Sequence, residues 1–268
     1  MDKAAGLRKA LKKARRGGPA VVGGHVFLTD PSLSEAMAFF GYDFIWIDGE
    51  HGAFDKQSLL AHIVAANSGG VAAIVRVTAN DPALIKPVLE MGPDGIIVPM
   101  VCTAAEAQRA VAACRYPPAG IRGFGPRRAN KYGAMNTEDY LVDADASILK
   151  IIQIEHIDAV RNLPEILKVE GLDAIIIGPN DLSGSIGKLA RLEDPEVSSL
   201  YDRIIEEARK AGVPCGASIG PNDKKFIQSW IDRGVDFLSC GDELSFMAAG
   251  ATDTISFVRK GFAKDIRA

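Results

Sequence analysis

Three ionisable side chains lie within four positions of one another, directly after a short apolar run. Asp48, Glu50 and His51 are interleaved with two glycines. A carboxylate three residues before a histidine can orient the imidazole and raise its basicity, which suits a general base. The structural alternatives are that His51 only caps the loop and that Glu50 forms an ion pair. The density of ionisable groups favours a catalytic His51 supported by Asp48.

An arginine ends another apolar run. Arg76 follows four aliphatic residues, 72–75. A buried arginine needs an anionic partner. That partner could be a substrate oxyanion, or the carboxylates of Asp48 and Glu155.

Two carboxylates and an amide form a third group. Glu155 and Asp181 are 26 residues apart, which is one strand–helix unit, and Gln153 shares a strand face with Glu155. These oxygen donors suit a hard divalent ion such as Mg²⁺ or Mn²⁺. The structural alternatives are that Asp181 caps a helix and that Glu155 pairs with Arg76.

Two other mechanisms fit these residues less well. Lys150 lies on the strand face opposite Glu155, which disfavours a Schiff base at this site. None of the four histidines belongs to an H-x-x-x-H pair, which argues against zinc.

These side chains need a scaffold that gathers the ends of different strands. Short apolar runs alternate with amphipathic stretches, which indicates a parallel α/β fold. The eight candidate strands are 20–28, 43–47, 72–77, 95–98, 148–154, 173–177, 213–217 and 237–239. A closed barrel and an open doubly wound sheet both fit this alternation. Eight units in 268 residues, with no G-x-G-x-x-G after the first strand, favour a single (β/α)₈ TIM barrel over 1–268.

Helices are predicted between the strands and after the last one. The predicted helices are 34–40, 57–67, 82–91, 104–114, 159–167, 197–211, 223–233 and 243–259. In such a barrel, the polar residues that end the strands meet at the carboxyl-terminal mouth. The groups described above would then form one site.

Composition and termini exclude several classes of protein. The formal net charge of −3 and pI near 5.9 give no basic field for nucleic acid. No apolar run approaches the roughly 18 residues that span a bilayer. The basic segment 1–19 lacks the apolar core of a secretory signal, so we expect a short solvated helix and a cytoplasmic protein. The four cysteines have no C-x-x-C spacing, and we expect reduced thiols.

Two loops suggest contacts with anions. Segment 116–131 carries four bases and no acids, so it could attract an anionic substrate over the barrel mouth. The alternative is that it contacts another subunit. Segment 178–187 is similar to a nest of backbone N–H groups that binds anions.

The same segments carry a family resemblance. The chain resembles the metal-dependent, class II pyruvate aldolases of the 4-hydroxy-2-oxo-heptanedioate and 2-dehydro-3-deoxy-glucarate aldolase type, in the phosphoenolpyruvate/pyruvate barrel superfamily. The matching motifs are FIWIDGEHG at 44–52, IVRV at 74–77, GIIVPMV at 95–101, YPPAGIRG at 116–123, QIE at 153–155 and IGPNDLS at 177–183. Their order is that of the family, and together they span about residues 20–245.

The resemblance implies roles for these residues. Glu155 and Asp181 would hold Mg²⁺, Mn²⁺ or Co²⁺, with Gln153 beside the metal. Arg76 would contact the keto oxygen of pyruvate. His51, with its supporting aspartate, would handle the proton of the acceptor hydroxyl. The substrate-binding backbone would comprise Gly178, Pro179, Asn180 and Asp181, and the amides of the last two would hold the pyruvate carboxylate.

The resemblance also implies an activity and an assembly. The expected reaction is reversible cleavage of a 4-hydroxy-2-oxo acid into pyruvate and an aldehyde. The expected assembly is a homo-hexamer of dimers that exchange the last helix. A citrate-lyase-β-like enzyme acting on a CoA thioester is one alternative, although the loop from Asp48 to His51 argues against it. A catalytically idle barrel kept for assembly is another, and the polar strand ends argue against that.

Overall fold

The computed structural model describes residues 3–220 and 223–265, which form a closed barrel of eight parallel strands. Each strand pairs with the next, and the last pairs with the first. The strands are β1 (Val21–Val26), β2 (Phe44–Asp48), β3 (Ala72–Arg76), β4 (Gly95–Val98), β5 (Leu149–Ile154), β6 (Ala174–Ile177), β7 (Cys215–Ile219) and β8 (Phe237–Asp242). The predicted (β/α)₈ barrel is confirmed, and no predicted strand end is more than three residues away from the observed one.

Helices surround the barrel and follow the predicted order. They are α1 (Lys3–Arg15), α2 (Ser32–Phe39), α3 (Lys56–Ser68), α4 (Pro82–Glu90), α5 (Ala104–Cys114), α6 (Thr137–Asp143), α7 (Ile157–Arg161), α8 (Leu163–Ile166), α9 (Pro179–Gly184), α10 (Pro195–Ala211), α11 (Lys224–Arg233) and α12 (Glu243–Asp265). The predicted helix 159–167 is wrong in detail, because the chain leaves helical geometry at Asn162 and forms two short helices. Helix α6 was not predicted, and α9 was considered only as the short helix that Asp181 would cap.

Side chains divide between two apolar layers because they alternate along each strand. One set points into the barrel and includes Phe44, Trp46, Ile74 and Phe237. The other set points outward and packs against the surrounding helices. Both layers are buried, which is why the strands read as nearly continuous apolar runs.

Helix α1 closes the amino-terminal end of the barrel, so the expectation of a solvated helix is wrong. Leu7 and Leu11 are buried in the same cluster as the inward-pointing strand residues. Two ion pairs fix the helix there: Arg8 to Asp173 at 2.7 Å and Arg15 to Asp236 at 2.8 Å. The basic residues that suggested a solvated helix thus also bind the barrel rim.

The basic loop 116–131 lies at this same amino-terminal end. Arg128 donates to the carbonyl of Gly92 at 2.7 Å and to the side chain of Asn67 at 2.8 Å. Gly92 directly precedes β4 and Asn67 is near the end of α3, before β3. The hypothesis that this loop draws substrate over the mouth of its own barrel is therefore wrong.

Two further sequence features can be compared with the structure. All four cysteines are free, as predicted. Among the described helices, none combines the length and hydropathy needed to cross a membrane.

We expect Leu11→Ala to lower the free energy of unfolding by about 2–5 kcal/mol, because it leaves a cavity in the base of the barrel. Lys12→Ala, on the exposed side of the same helix, should change it by less than about 0.5 kcal/mol. Chemical denaturation of both variants measures the difference. Equal effects would contradict the packing of α1 described here.

Candidate active site

A buried ion pair at the ends of β2 and β3 forms the centre of the site. Asp48 and Arg76 are the last residues of these strands and lie directly opposite each other in the strand register. Arg76 Nε donates to Asp48 Oδ1 at 3.1 Å, and Nη2 donates to Oδ2. Of the two carboxylates suggested by the sequence, Asp48 is thus the direct partner of Arg76.

Two more polar side chains and an aromatic ring hold the same guanidinium. Arg76 Nη1 lies 3.0 Å from Glu50 Oε2, so the ion-pair alternative for Glu50 is confirmed. Nη1 also donates to Gln153 Oε1 at 3.4 Å. The guanidinium carbon lies 5.3 Å from the centre of the Trp46 ring, within the range of a cation–π contact. These contacts fix the position of Arg76 at the barrel mouth.

Glu155 is a buried carboxylate directly after β5. It is 2% exposed, and it accepts hydrogen bonds from the Met100 amide at 2.7 Å and from Gln153 Nε2 at 2.5 Å. Burial raises the pKa of Glu155 to about 7, the Met100 hydrogen bond opposes this shift, and the charge of Asp181 adds to it. Arg76 does not bond Glu155 directly, so that structural alternative does not hold.

Gly178 brings the start of α9 against this carboxylate. A Cβ at Gly178 would lie only 2.6 Å from both Gln153 Nε2 and Glu155 Oε2. Only glycine allows so close an approach. The backbone that enters α9 can therefore sit directly beside the two side chains of β5.

Asp181 lies in the first turn of α9 and is exposed. The residue that caps this helix is Gly178, so the alternative that Asp181 is a helix cap is wrong. Its charge raises the pKa values of Glu155 and Glu50, which places it on the same side of the barrel mouth. Asn180 is also exposed there, whereas Pro179 is buried.

Asp48 supports the backbone of His51 and not its imidazole ring. Asp48 Oδ1 accepts from the amides of Glu50 at 3.1 Å and His51 at 3.0 Å. The His51 side chain is 62% exposed, and its Nε2 is 4.0 Å from Glu50 Oε2. The predicted orientation of the ring by Asp48 is therefore corrected: the carboxylate fixes the loop that carries the histidine.

The charges of the site are unbalanced. Four carboxylates, those of Asp48, Glu50, Glu155 and Asp181, act on one another or on the single guanidinium of Arg76. A buried carboxylate without full compensation is costly. Within 3–220 and 223–265, no three His, Cys, Asp or Glu side chains form a ready metal cluster. A cation here would thus rely on two carboxylates and on oxygens from amide, water or substrate, as Mg²⁺ commonly does.

Sequence reasoning missed two residues of this region. Met100 donates its amide to Glu155 from a left-handed conformation, with φ of 53°. His25 lies inside the barrel, 4.8 Å from the Trp46 ring, with Nε2 3.1 Å from Ser218 Oγ. Burial lowers the pKa of His25 to about 3, so the ring stays neutral near Arg76. Met100 lies in the quoted motif at 95–101, but its contribution is a backbone amide, which residue type does not reveal, and His25 lies outside every motif quoted above.

Comparison with known proteins agrees with this geometry. The profile of the HpcH/HpaI aldolase/citrate lyase family matches residues 23–245, which is most of the chain. The chain belongs to this family. The resemblance described above is thereby confirmed, and so is the prediction of a lyase of the aldolase type.

Individual members are similar over almost their whole length. A 4-hydroxy-2-oxo-heptane-1,7-dioate aldolase of Shigella flexneri is 35% identical over 245 residues, which are 91% of each chain. The structure of a family member from Burkholderia cenocepacia J2315 has a TM-score of 0.86 at 28% identity, covering 93% of this chain and 98% of that one. Citrate synthase SbnG has a TM-score of 0.82 at 31% identity, covering 94% and 98%.

We expect Asp48→Asn to lower the free energy of unfolding by about 3 kcal/mol, because it removes one charge of a buried pair. Glu165→Gln, in the exposed pair with Lys168, should cost no more than about 1 kcal/mol. Denaturation curves of both variants give the comparison. A loss at Asp48 no larger than that at Glu165 would mean that the buried pair does not hold this part of the structure.

Proposed function

We propose that this chain is a divalent-metal-dependent pyruvate aldolase, which reversibly cleaves a 4-hydroxy-2-oxo acid into pyruvate and an aldehyde. Family membership supports the reaction class, and the similar enzyme of Shigella flexneri is named for a 4-hydroxy-2-oxo acid. The observation that carries the proposal is the buried carboxylate of Glu155, held beside Gln153 and near Arg76. Carboxylate and amide oxygens are suitable ligands for a divalent cation, and the guanidinium can bind an oxygen of the 2-oxo acid that such a cation would chelate.

Glu155 and Asp181 would hold the cation, which we expect to be Mg²⁺, Mn²⁺ or Co²⁺. The donor set fits such an ion because its carboxylates exceed its cations and because Glu155 is buried with a raised pKa. When bound, a divalent ion supplies Lewis acidity at the carbonyl of the 2-oxo acid. Gln153 fixes one oxygen of Glu155 by its hydrogen bond and so orients the carboxylate.

Arg76 would stabilise the negative charge that develops on the keto oxygen as the carbon–carbon bond breaks. Its guanidinium is already immobilised by Asp48, Glu50 and Gln153, so little reorganisation is needed during the reaction. The substrate carboxylate would lie against the backbone from Gly178 to Asp181. The close approach of Gly178 to Gln153 and Glu155 supports this role, since it sets that backbone beside the two β5 side chains.

His51 would take the proton from the C4 hydroxyl in cleavage and return it in the reverse direction. Its exposed ring is free to meet a substrate at the barrel mouth, and its backbone is fixed by Asp48. Glu50, near both His51 and Arg76, links the position of the base to that of the cationic group. Histidine is the side chain that most often performs such proton transfers.

A second candidate is a citrate-lyase-β-like enzyme that cleaves a CoA thioester. The family includes citrate lyases, and this supports the alternative. The loop with Glu50 and His51 favours the aldolase instead, because its exposed histidine would serve as the base that aldol cleavage needs. Cleavage of a CoA ester without activity on free 4-hydroxy-2-oxo acids would favour the lyase.

We expect Arg76→Lys and Glu155→Gln to lower pyruvate release from a panel of 4-hydroxy-2-oxo acids by at least about 100-fold. Glu155→Gln should also lower divalent-metal affinity in calorimetry, whereas His51→Ala should lower turnover but leave that affinity close to wild type. Glu165→Gln, an exposed change, is the control. Wild-type turnover in either Arg76→Lys or Glu155→Gln would refute the assignment, and loss of metal in His51→Ala would refute the role of His51.

We further propose that α12 is exchanged between copies of the chain in a homo-hexamer of dimers. From Met247 to Phe262 every residue of this helix is exposed, so it does not pack on its own barrel. An apolar stripe runs along it: Met247, Ile255, Val258 and Phe262. Exposed apolar surface of this extent favours contact with a partner. A groove beside α2, lined by Met37, Phe40 and Phe246, offers a matching apolar surface.

Light scattering should give a mass near six times 28.5 kDa for the wild type. The double variant Ile255→Asp and Phe262→Asp places charges on the apolar stripe of α12. It should have a lower mass, because burying a charge in the contact between subunits is costly. Ser256→Asp, outside the stripe, should leave it unchanged. A monomeric wild type, or an unchanged mass in the stripe variant, would contradict the exchange.

A further inference from the structure

A second cavity lies at the amino-terminal end of the barrel, remote from Glu155. Its volume is about 400 Å³, within the range of sites for small molecules. It lies between α1, the segment before β4, the segment before β5 and the basic loop. The cationic residues that line it are Lys3, Arg122, Arg128 and Lys131. The aldolase site uses none of these residues.

The cavity carries more positive than negative charge. Asp94 is the lining carboxylate, and its Oδ2 is already bonded to Asn67 Nδ2 at 2.6 Å and to a backbone amide. Glu90 lies 3.5 Å from Arg122. In the part of the chain that the structure describes, no salt bridge is found for Lys3 or Lys131. Four cations against two carboxylates leave an excess of two positive charges.

Arg128 contributes a charge that no carboxylate neutralises by a salt bridge within the described residues. Its Nη1 donates to the carbonyl oxygens of Met91 at 3.1 Å and Gly92 at 2.7 Å, and its Nη2 donates to Asn67 Oδ1 at 2.8 Å. All three acceptors are neutral. The guanidinium is therefore held rigidly while its charge remains available to an anion.

Arg122 adds a buried donor without an acceptor. It is 3% exposed, and its Nε has no hydrogen-bond partner. Its Nη2 donates to Tyr140 Oη at 3.3 Å, and its guanidinium carbon lies 4.5 Å from the centre of the Tyr116 ring. A buried N–H without an acceptor is unfavourable, so its satisfaction by a ligand would be stabilising.

The backbone near Lys131 is strained. Lys131 and Tyr132 both have φ of 58°, in the left-handed region, and a left-handed Gly133 follows. Two such residues in succession are costly unless the surrounding structure selects them. This turn sets both side chains on the wall of the cavity.

We propose that this cavity is a binding site for a small organic dianion of the dicarboxylate class. A dianion would balance the excess of two charges, and carboxylate oxygens match the arginine and lysine donors. Pro93, Ile148 and the Tyr132 ring provide apolar walls, which suit a short carbon chain between two carboxylates. This site is independent of the aldolase function proposed above.

Succinate is the probe for calorimetric titration of the full-length protein at low ionic strength, where charge screening is weak. We expect one site per chain. Lys3→Gln combined with Lys131→Gln should weaken binding at least tenfold, because both changes remove cationic side chains from the cavity wall. Lys12→Gln, on the same helix as Lys3 but outside this cavity, should change the affinity less than twofold. If the double variant does not fold by circular dichroism, Lys131→Gln alone should give a smaller loss of affinity.

Three outcomes would overturn the proposal. The first is no binding of succinate at millimolar concentration. The second is equal binding by the wild type and the lysine variants, since succinate would then occupy another place such as the barrel mouth. The third is sulfate binding as tightly as succinate, which would show that the cavity responds to charge alone.

Discussion

The site depends on one buried guanidinium that must be neutralised inside a ring of strands. Arg76 cannot stay at the end of β3 without a carboxylate, and Asp48 supplies it from the adjacent position on β2. Parallel pairing of neighbouring strands therefore fixes the centre of the site. The carboxylates of Glu50, Glu155 and Asp181 lie around that pair. A further cation would neutralise part of their negative charge.

The barrel explains why these groups meet at all. Glu155 follows β5 and Gly178 follows β6, so neighbouring strand ends bring them into contact. The opposite end of the barrel is closed by α1, whose leucines complete the inner core. The two ends of the barrel therefore differ. The ionisable groups of the candidate site lie at the carboxyl-terminal mouth. The amino-terminal end is packed by α1 and contains the basic cavity.

The sequence predicts much of this because strand and helix patterns alternate clearly and because polar residues end the strands. Position in the pattern was enough to bring Asp48, Arg76, Gln153 and Glu155 together. It was not enough to assign partners, since Asp48 and Glu155 are both suitable for Arg76 and only three-dimensional packing selects one. Nothing in its residue type indicates that Met100 adopts a left-handed conformation to hold Glu155.

Other errors have simpler causes. The basic residues of α1 concealed its apolar face, although Leu7 and Leu11 are four residues apart and share one side of the helix. The basic loop 116–131 belongs to the connection from α5 to β5, and connections from a helix to the next strand lie at the amino-terminal end of a barrel. Its charge suggested a place near the substrate, whereas its connectivity determines its actual location.

In the proposed active site, Glu155 and Asp181 bind one divalent cation within reach of Arg76. The most direct measurement is a crystal structure of the protein soaked with Mn²⁺ and pyruvate, in which the ion is located by its anomalous scattering. We expect a single strong peak coordinated by a carboxylate oxygen from each of these two residues, with the pyruvate keto oxygen beside the guanidinium. A peak elsewhere, or coordination that omits either carboxylate, would contradict it.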